Sequence, residues 1–133
     1  MLKITNKTET DYYKAFKSFN ELTDNYKQNL SDITSRIHRL NPNATVLILE
    51  LYNPLHVDNE FYSVANKMLP KWNLISYQIS SKYDNMIVVE TTKVINEKHL
   101  DYLSADGVHP NSTGYNAIAE QIINQLKTEK KNS

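Results

Sequence analysis

Three stretches of the chain carry apolar residues at the spacing of an amphipathic helix. The first runs from about Thr8 to Leu40, the second lies between Asp58 and Tyr83, and the third follows Pro110. In each, apolar residues recur at intervals of three, four or seven, which places them along one face of a helix. The pattern predicts three helices, whose apolar stripes are Phe16, Phe19, Tyr26, Leu30, Ile33, Ile37 and Leu40; Phe61, Val64, Met68, Trp72, Ile75 and Ile79; and Tyr115, Ile118, Ala119, Ile122, Ile123 and Leu126.

Prolines and polar residues indicate where these helices begin, bend or end. Pro42 ends the first helix, because proline disfavours helical geometry in the residue before it and lacks a backbone N–H. Pro70 lies inside the second helix and is expected to kink it or to split it in two. The third helix is expected to begin after Pro110, with Asn111 or Ser112 as its N-cap.

Two short aliphatic runs separate the helices and predict strands. Residues 45–51 and 86–90 are rich in Val, Ile and Leu, as is typical of strands covered on both faces. Glu50 breaks the first run and is expected at the carboxyl end of its strand, within reach of water. Residues 91–105 are predicted to be irregular or to contain a short helical turn. The order helix, strand, helix, strand, helix predicts an α/β protein with parallel strands.

Composition narrows the class of protein. The 133 residues suit one domain over 1–133, with residues 128–133 as a disordered tail. The 15 basic and 15 acidic residues cancel, so no nucleic-acid partner is expected. Cysteine is absent, and the four histidines are scattered, so neither a metal nor another cofactor is predicted. No apolar run reaches the about 20 residues that span a bilayer, and the polar N-terminus lacks a signal-peptide pattern.

The stretch from Ser104 to Tyr115 holds the candidate chemistry. It contains both glycines of the chain, Gly107 and Gly114, and one of its four prolines, Pro110. Asp106 stands three residues before His109, at a spacing that lets a carboxylate fix an imidazole as a general base. Gly107 would allow the turn, and Gly114 would let the last helix approach a strand or substrate closely. The spacing alone, however, favours a simple helix-initiating turn.

The wider sequence resembles a known family. Residues 106–115, Asp-Gly-Val-His-Pro-Asn-Ser-Thr-Gly-Tyr, resemble the last conserved block of the SGNH hydrolases, also called GDSL-type lipases and acylhydrolases. Upstream, residues 40–44 (Leu-Asn-Pro-Asn-Ala), residues 51–54 (Leu-Tyr-Asn-Pro) and the pair Trp72-Asn73 are similar to the Gram-positive branch of that family. The likeness covers about residues 8–126 and comes in the order that the family has.

This resemblance implies a three-layer α/β/α sandwich of the flavodoxin-like type, with the site at the carboxyl ends of the strands. Only the C-terminal portion of that fold, about two parallel strands and three main helices, is expected here. Asp106 would orient His109, and His109 would act as the general base of a Ser-His-Asp triad on an acyl or acetyl ester. Full-length relatives in this branch are often exported or anchored outside the cytoplasmic membrane.

The departures from the family pattern concern the nucleophile. The family's Gly-Asp-Ser block, its second-block Gly and its Gly-x-Asn-Asp block have no counterpart in this sequence. None of the serines at 63, 76, 80, 81, 104 and 112 lies in a strand-to-helix turn of the kind that exposes a nucleophile. We therefore expect a C-terminal fragment that is inactive by itself and needs the missing N-terminal segment of the same domain. Glu50 stands where the family has a small residue.

Two other functions are compatible with the same residues. In one, the chain is a non-catalytic interaction module that forms homo-oligomers through the exposed edge of its first strand. In the other, Asp106 and His109, with His99 or Asp101, hold a divalent metal ion for hydrolysis.

Overall fold

A computed structural model describes residues 9–132 and resolves three helices and two strands among them. Helix α1 spans Glu9–Leu40, strand β1 Val46–Leu49, helix α2 Tyr62–Ser80, strand β2 Met86–Val89 and helix α3 Ser112–Asn132. Two single 3-10 turns, Thr91–Lys93 and Leu100–Tyr102, lie between β2 and α3. The predicted order of elements is confirmed. Thr8, the predicted start of the first helix, and Ser133 lie outside the described residues.

The two strands pair in parallel, as predicted, with Val46 opposite Met86 and Leu49 opposite Val89. The N–H of Val46 donates to the Asn85 carbonyl at 2.8 Å, and that of Glu50 donates to the Val89 carbonyl at 3.0 Å. Because alternate residues of a parallel strand bond to the same neighbour, the backbone groups between them face away. The N–H and C=O groups of residues 47 and 49 therefore point to the outer edge of β1.

Helices α1 and α2 cover one face of this sheet. Ile75, Ile79 and Met86 form the buried cluster there, and Tyr26, Leu30, Val46, Ile48 and Tyr83 pack against it. The predicted stripe of α1 is wrong at two positions, because Ile33 and Leu40 are 54% and 83% exposed. Thr34 is buried instead, and its hydroxyl donates to the Leu30 carbonyl at 2.9 Å, which satisfies the polar atom inside the helix contact.

Trp72 joins α2 to α1. Its ring stacks between Phe19 and Tyr26, with ring centroids 6.0 and 5.6 Å away. Its Nε1–H donates to the Thr23 hydroxyl at 2.8 Å, so the polar end of the indole is also satisfied. One aromatic side chain thus fixes the position of α2 along α1.

Helix α2 continues through Pro70 from Tyr62 to Ser80, so of the two outcomes predicted for this proline, a kink or a split, the split does not occur. Pro70 lies on the exposed side, while Trp72, Ile75 and Ile79 continue the packed side without a break. Residues 128–132, where a disordered tail was predicted, belong to the last turns of α3, which is helical as far as Asn132.

Two side-chain amides occupy the outer edges of the sheet. Gln125 of α3 donates to the Val88 carbonyl at 2.9 Å and accepts from the Glu90 N–H at 2.8 Å. Asn73 of α2 accepts from the Leu51 N–H at 2.8 Å and donates to the Leu51 carbonyl at 3.0 Å. Each amide makes the pair of bonds that a residue of a neighbouring strand would make.

The arrangement is the predicted three-layer α/β/α sandwich, here with two strands and three helices. Helix α3 packs on β2 and on the 3-10 turn at Leu100–Tyr102, which places the start of α3 beside the segment that follows β2. None of the described helices combines the length and the apolar character needed to cross a membrane.

Candidate active site

The turn that holds Asp106 and His109 is closed by short-range backbone bonds. The Ser104 N–H donates to the His109 carbonyl at 2.7 Å, and the Gly107 N–H donates to the Ser104 carbonyl at 2.9 Å. Leu103 and Pro110 form an antiparallel bridge at the base of the turn. Gly107 has φ +71°, in the left-handed region that residues with a Cβ rarely adopt. The glycine is thus required by the path of the backbone.

Asp106 bonds to three groups inside this turn. Its Oδ1 accepts the N–H groups of Val108 and His109, both at 2.9 Å, and its Oδ2 lies 2.6 Å from His109 Nδ1. An ionised carboxylate only accepts, so the proton of this last bond belongs to Nδ1. The neutral imidazole then keeps an unprotonated Nε2. The His109 side chain is 73% exposed, which makes it accessible to a substrate.

The same contacts hold Asp106 ionised. Its pKa is lowered from 3.8 to about 2, first by the Val108 N–H, then by the bond to the His109 ring and by the His109 N–H. Hydrogen bonds that favour the charged form lower the pKa of an acid. Asp106 is therefore a fixed negative charge beside His109 at any pH near neutrality.

Asn111 starts the helix that follows the turn. Its Oδ1 accepts the Gly114 N–H at 3.0 Å, so Asn111 is the N-cap, which settles the choice left open between Asn111 and Ser112. Its Nδ2 donates to the carbonyls of Asp101 and Leu103 at 2.7 and 3.1 Å. Gly114 packs directly against the Tyr102 carbonyl oxygen, where an added Cβ would clash. Gly114 was predicted to let the last helix approach a strand or a substrate closely. In the structure the close contact of Gly114 is with the 3-10 turn Leu100–Tyr102.

Comparison with known proteins identifies the family of this chain. The sequence model of the GDSL-like lipase/acylhydrolase family matches residues 4–122 of the chain. The chain belongs to this family. The resemblance to the SGNH, or GDSL-type, hydrolases, first drawn from the Asp106 turn and the segments upstream of it, is confirmed.

Two similar proteins come from Bacillus. The uncharacterized protein YpmR of Bacillus subtilis is 27% identical over 113 residues, which cover 84% of this chain and 44% of that protein. The spore germination lipase LipC of Bacillus licheniformis is 29% identical over 108 residues, which cover 78% of this chain and 49% of LipC. The GDSL-family chain thus spans about half the length of these relatives.

Glu50 of this GDSL-family chain lies at the carboxyl end of β1, as predicted, and the structure shows that it is a hydrogen-bond acceptor there. It is half-buried, and its carboxylate accepts the Tyr77 hydroxyl at 2.7 Å and the Thr92 hydroxyl at 2.6 Å. Burial, followed by the bond to Glu50, raises the pKa of Tyr77, so this phenol stays a donor. Glu50 therefore joins β1 to α2 and to the segment after β2.

Sequence reasoning missed the contact between Tyr52 and the turn. The Tyr52 hydroxyl donates to the Val108 carbonyl at 2.6 Å, between residues 56 positions apart. The signal available in the sequence was the Tyr-Asn-Pro segment after β1, which the family resemblance marked without a role for its tyrosine.

Four of the six serines considered as nucleophiles bond to other groups. Ser76 pairs with the Tyr26 hydroxyl, Ser80 and Ser81 donate to carbonyls of their own helix, and Ser104 donates to the Pro110 carbonyl. Within residues 9–132 no hydrogen bond joins the His109 ring to a serine hydroxyl. Among the described residues, the His109 ring is thus bonded to Asp106 and not to a serine.

The alternative metal site does not assemble in the described part of the chain. No group of three or more His, Cys, Asp or Glu side chains among those residues could hold a metal ion. The His99 ring stacks on Tyr102 with centroids 4.8 Å apart, and Asp101 contributes its backbone carbonyl to Asn111. The donors needed beside Asp106 and His109 are therefore not gathered there.

Proposed function

We propose that this chain supplies the acid and the base of a serine ester hydrolase. The observation that carries the proposal is the contact between Asp106 Oδ2 and His109 Nδ1 at 2.6 Å, in an exposed turn at the start of α3. Membership of the GDSL-like lipase/acylhydrolase family supports an ester as substrate.

In the proposed reaction, His109 moves one proton in two directions. Its Nε2 takes the proton of a serine hydroxyl while that oxygen attacks the ester carbonyl, and it then gives the proton to the departing alcohol. Asp106 stabilises the imidazolium formed in between and remains ionised throughout. Water then enters in place of the alcohol, and the same proton transfers release the acid and regenerate the serine.

The nucleophile and the oxyanion donors are proposed to come from a segment outside the described residues. Support for this comes from Ser76, Ser80, Ser81 and Ser104, whose hydroxyls bond to other groups, and from the His109 ring, which within residues 9–132 bonds to Asp106 and to no serine. Loss of a triad member in serine hydrolases costs several powers of ten in rate, because the three residues act as a unit. We therefore expect the 133-residue chain to show little or no esterase activity by itself.

A chimera tests the assignment of the base. The part of LipC that the match leaves out would be joined to this chain, and hydrolysis of a short-chain p-nitrophenyl ester would be measured. We expect activity in the chimera and a fall of at least about a thousandfold with His109→Ala.

His56 provides the matched control for that variant. It too is an exposed histidine beside an aspartate, with its Nδ1 3.2 Å from Asp58 Oδ2. His56→Ala should leave the rate of the chimera unchanged. A chimera that keeps its activity after His109→Ala would refute His109 as the base.

A second candidate, self-association through β1, is favoured by a separate observation. The backbone groups of residues 47 and 49 point outward, and the Leu49 side chain is 44% exposed at the same edge. A second copy of β1 running antiparallel would present the same groups, so one two-fold axis could pair the two edges. In this candidate, the chain is an oligomerising α/β module without catalysis.

A further inference from the structure

Tyr52 makes a bond that differs from all others at the turn. Within residues 9–132, the hydrogen bonds of residues 104–110 run to partners in the same short stretch, with one exception. The exception is the 2.6 Å bond from the Tyr52 hydroxyl to the Val108 carbonyl. Short-range bonds keep Asp106 and His109 together, whereas only this bond ties them to the segment after β1.

The segment that carries Tyr52 is itself held on its other side. The neighbouring Asn53 donates from Nδ2 to the Tyr62 carbonyl at 3.2 Å and to Asn66 Oδ1 at 2.7 Å. Leu51, just before it, is held by the Asn73 amide. Tyr52 therefore projects from a backbone that α2 fixes on both sides, which makes it a rigid support for the turn.

The Tyr52 hydroxyl also stays protonated. Its pKa is raised by burial first, and then by Tyr115 and by the negative charge of Asp106. A phenol in such surroundings keeps its proton and remains a hydrogen-bond donor to the Val108 carbonyl at physiological pH.

We propose that Tyr52 is a positioning residue, whose hydroxyl fixes the Asp106 and His109 turn relative to the carboxyl end of β1. The proposal rests on the proposed function, because the bond from Tyr52 would serve to present His109 Nε2 to the ester in one orientation. A misplacement of about 1 Å can cost a hundredfold in rate, so one hydrogen bond to a turn that carries a base can affect catalysis.

NMR spectroscopy of the 133-residue chain tests the structural half of the proposal. Residual dipolar couplings of the Val108 and His109 amides report their orientation relative to β1 and β2. In Tyr52→Phe, these couplings should shrink towards averaged values while those of the strands stay the same. The imidazole 15N shifts of His109 should keep the pattern of an Nδ1–H tautomer, since the bond to Asp106 is local.

Tyr26→Phe is the matched control. It removes another phenol hydroxyl, one that pairs with Ser76 between α1 and α2, 3.0 Å away. This variant should leave the couplings at residues 105–109 unchanged. If the couplings are unchanged in Tyr52→Phe as well, the proposal is overturned. A loss of the Nδ1–H pattern in Tyr52→Phe would also overturn it, because the bond from Tyr52 would then hold Asp106 and His109 together instead of positioning the turn.

The catalytic half is tested in the chimera with LipC. Tyr52→Phe should lower kcat about tenfold with little change in KM, at an unchanged pH profile, since the pair survives and only its placement varies. An unchanged kcat beside a large loss in His109→Ala would overturn positioning while leaving the proposed function intact. Activity that survives His109→Ala would instead refute the proposed function, whatever the couplings show.

Discussion

Asp106 takes three hydrogen bonds from residues no more than three positions away, and this explains how a four-residue stretch can build an acid and base pair. Gly107 supplies the positive φ that turns the Val108 and His109 N–H groups towards the carboxylate. Because every partner is near in sequence, the spacing Asp-x-x-His and the glycine were enough to predict this geometry. Its catalytic use was inferred from the family resemblance, since the bare spacing favours a simple helix-initiating turn.

The pKa of Asp106 is the prediction that belongs to this scale. A titration followed by the 13C signal of its carboxyl group should give a midpoint of about 2, below the 3.8 of a free aspartate. A lowered folded-state pKa means that the stabilisation is present above about pH 4 and is lost as the pH falls through 2. The turn should therefore loosen only in that acidic window.

His109→Ala separates the causes of this shift. The largest cause is the Val108 N–H, which the variant retains, so the midpoint should rise only part of the way to 3.8. A midpoint at the ordinary value in the unaltered chain would show that the three bonds do not form in solution.

Long-range side-chain contacts are the part of the site that could not be predicted from the sequence. Tyr52 bonds to Val108, and Glu50 to Tyr77 and Thr92, across 27 to 56 positions. Such pairs arise only when the carboxyl ends of β1 and β2 lie side by side, and no local periodicity encodes them. Glu50 could be placed at a strand end from the sequence, but its donors could not be named.

At the scale of elements, helices and strands followed from apolar periodicity, and the errors have a common cause. Ile33 and Leu40 fit the stripe of α1 by spacing, but the side chains of α1 that pack on α2 are Phe19, Tyr26 and Leu30, and Ile33 and Leu40 stay exposed. Periodicity finds a helix face without showing which part of it a neighbour covers.

The amide of Gln125 is the element-scale feature with a measurable consequence. Gln125→Ala would leave the Val88 carbonyl and the Glu90 N–H at the edge of β2 without their partner. An unsatisfied, partly buried backbone group costs about 1 to 3 kcal/mol, so urea unfolding should show a free energy of unfolding lower by roughly that amount. The m-value should not change.

Asn124→Ala is the control for this substitution. It changes a neighbouring polar residue of α3 that is exposed, and its gain in helix propensity is the larger of the two, because Asn forms helix less readily than Gln. It should leave stability the same or slightly higher. Equal free energies of unfolding for the two variants would show that the Gln125 amide does not support the edge of β2.

At the scale of the whole molecule, the described chain covers the two edges of its sheet unequally. Gln125 serves the outer edge of β2, while Asn73 reaches only as far as Leu51 and leaves the groups of residues 47 and 49 facing outward. Leu49 and Leu51, 44% and 36% exposed, continue this edge as an apolar surface. A sheet edge of this kind favours pairing with another strand.

Sedimentation equilibrium tests whether a second copy takes that place. The unaltered chain should pass from monomer to dimer as its concentration rises, and weakly, because two outward residues per strand offer few bonds. Leu49→Lys should weaken the dimer at least about tenfold, equal to about 1.4 kcal/mol, since a charge at a strand edge opposes pairing.

Ile33→Lys is the control, because Ile33 is 54% exposed but lies on α1, away from the sheet. This variant should associate like the unaltered chain. A monomer at every concentration, or equal dimers in both variants, would refute pairing through β1 and leave the hydrolase proposal as the explanation of the fold.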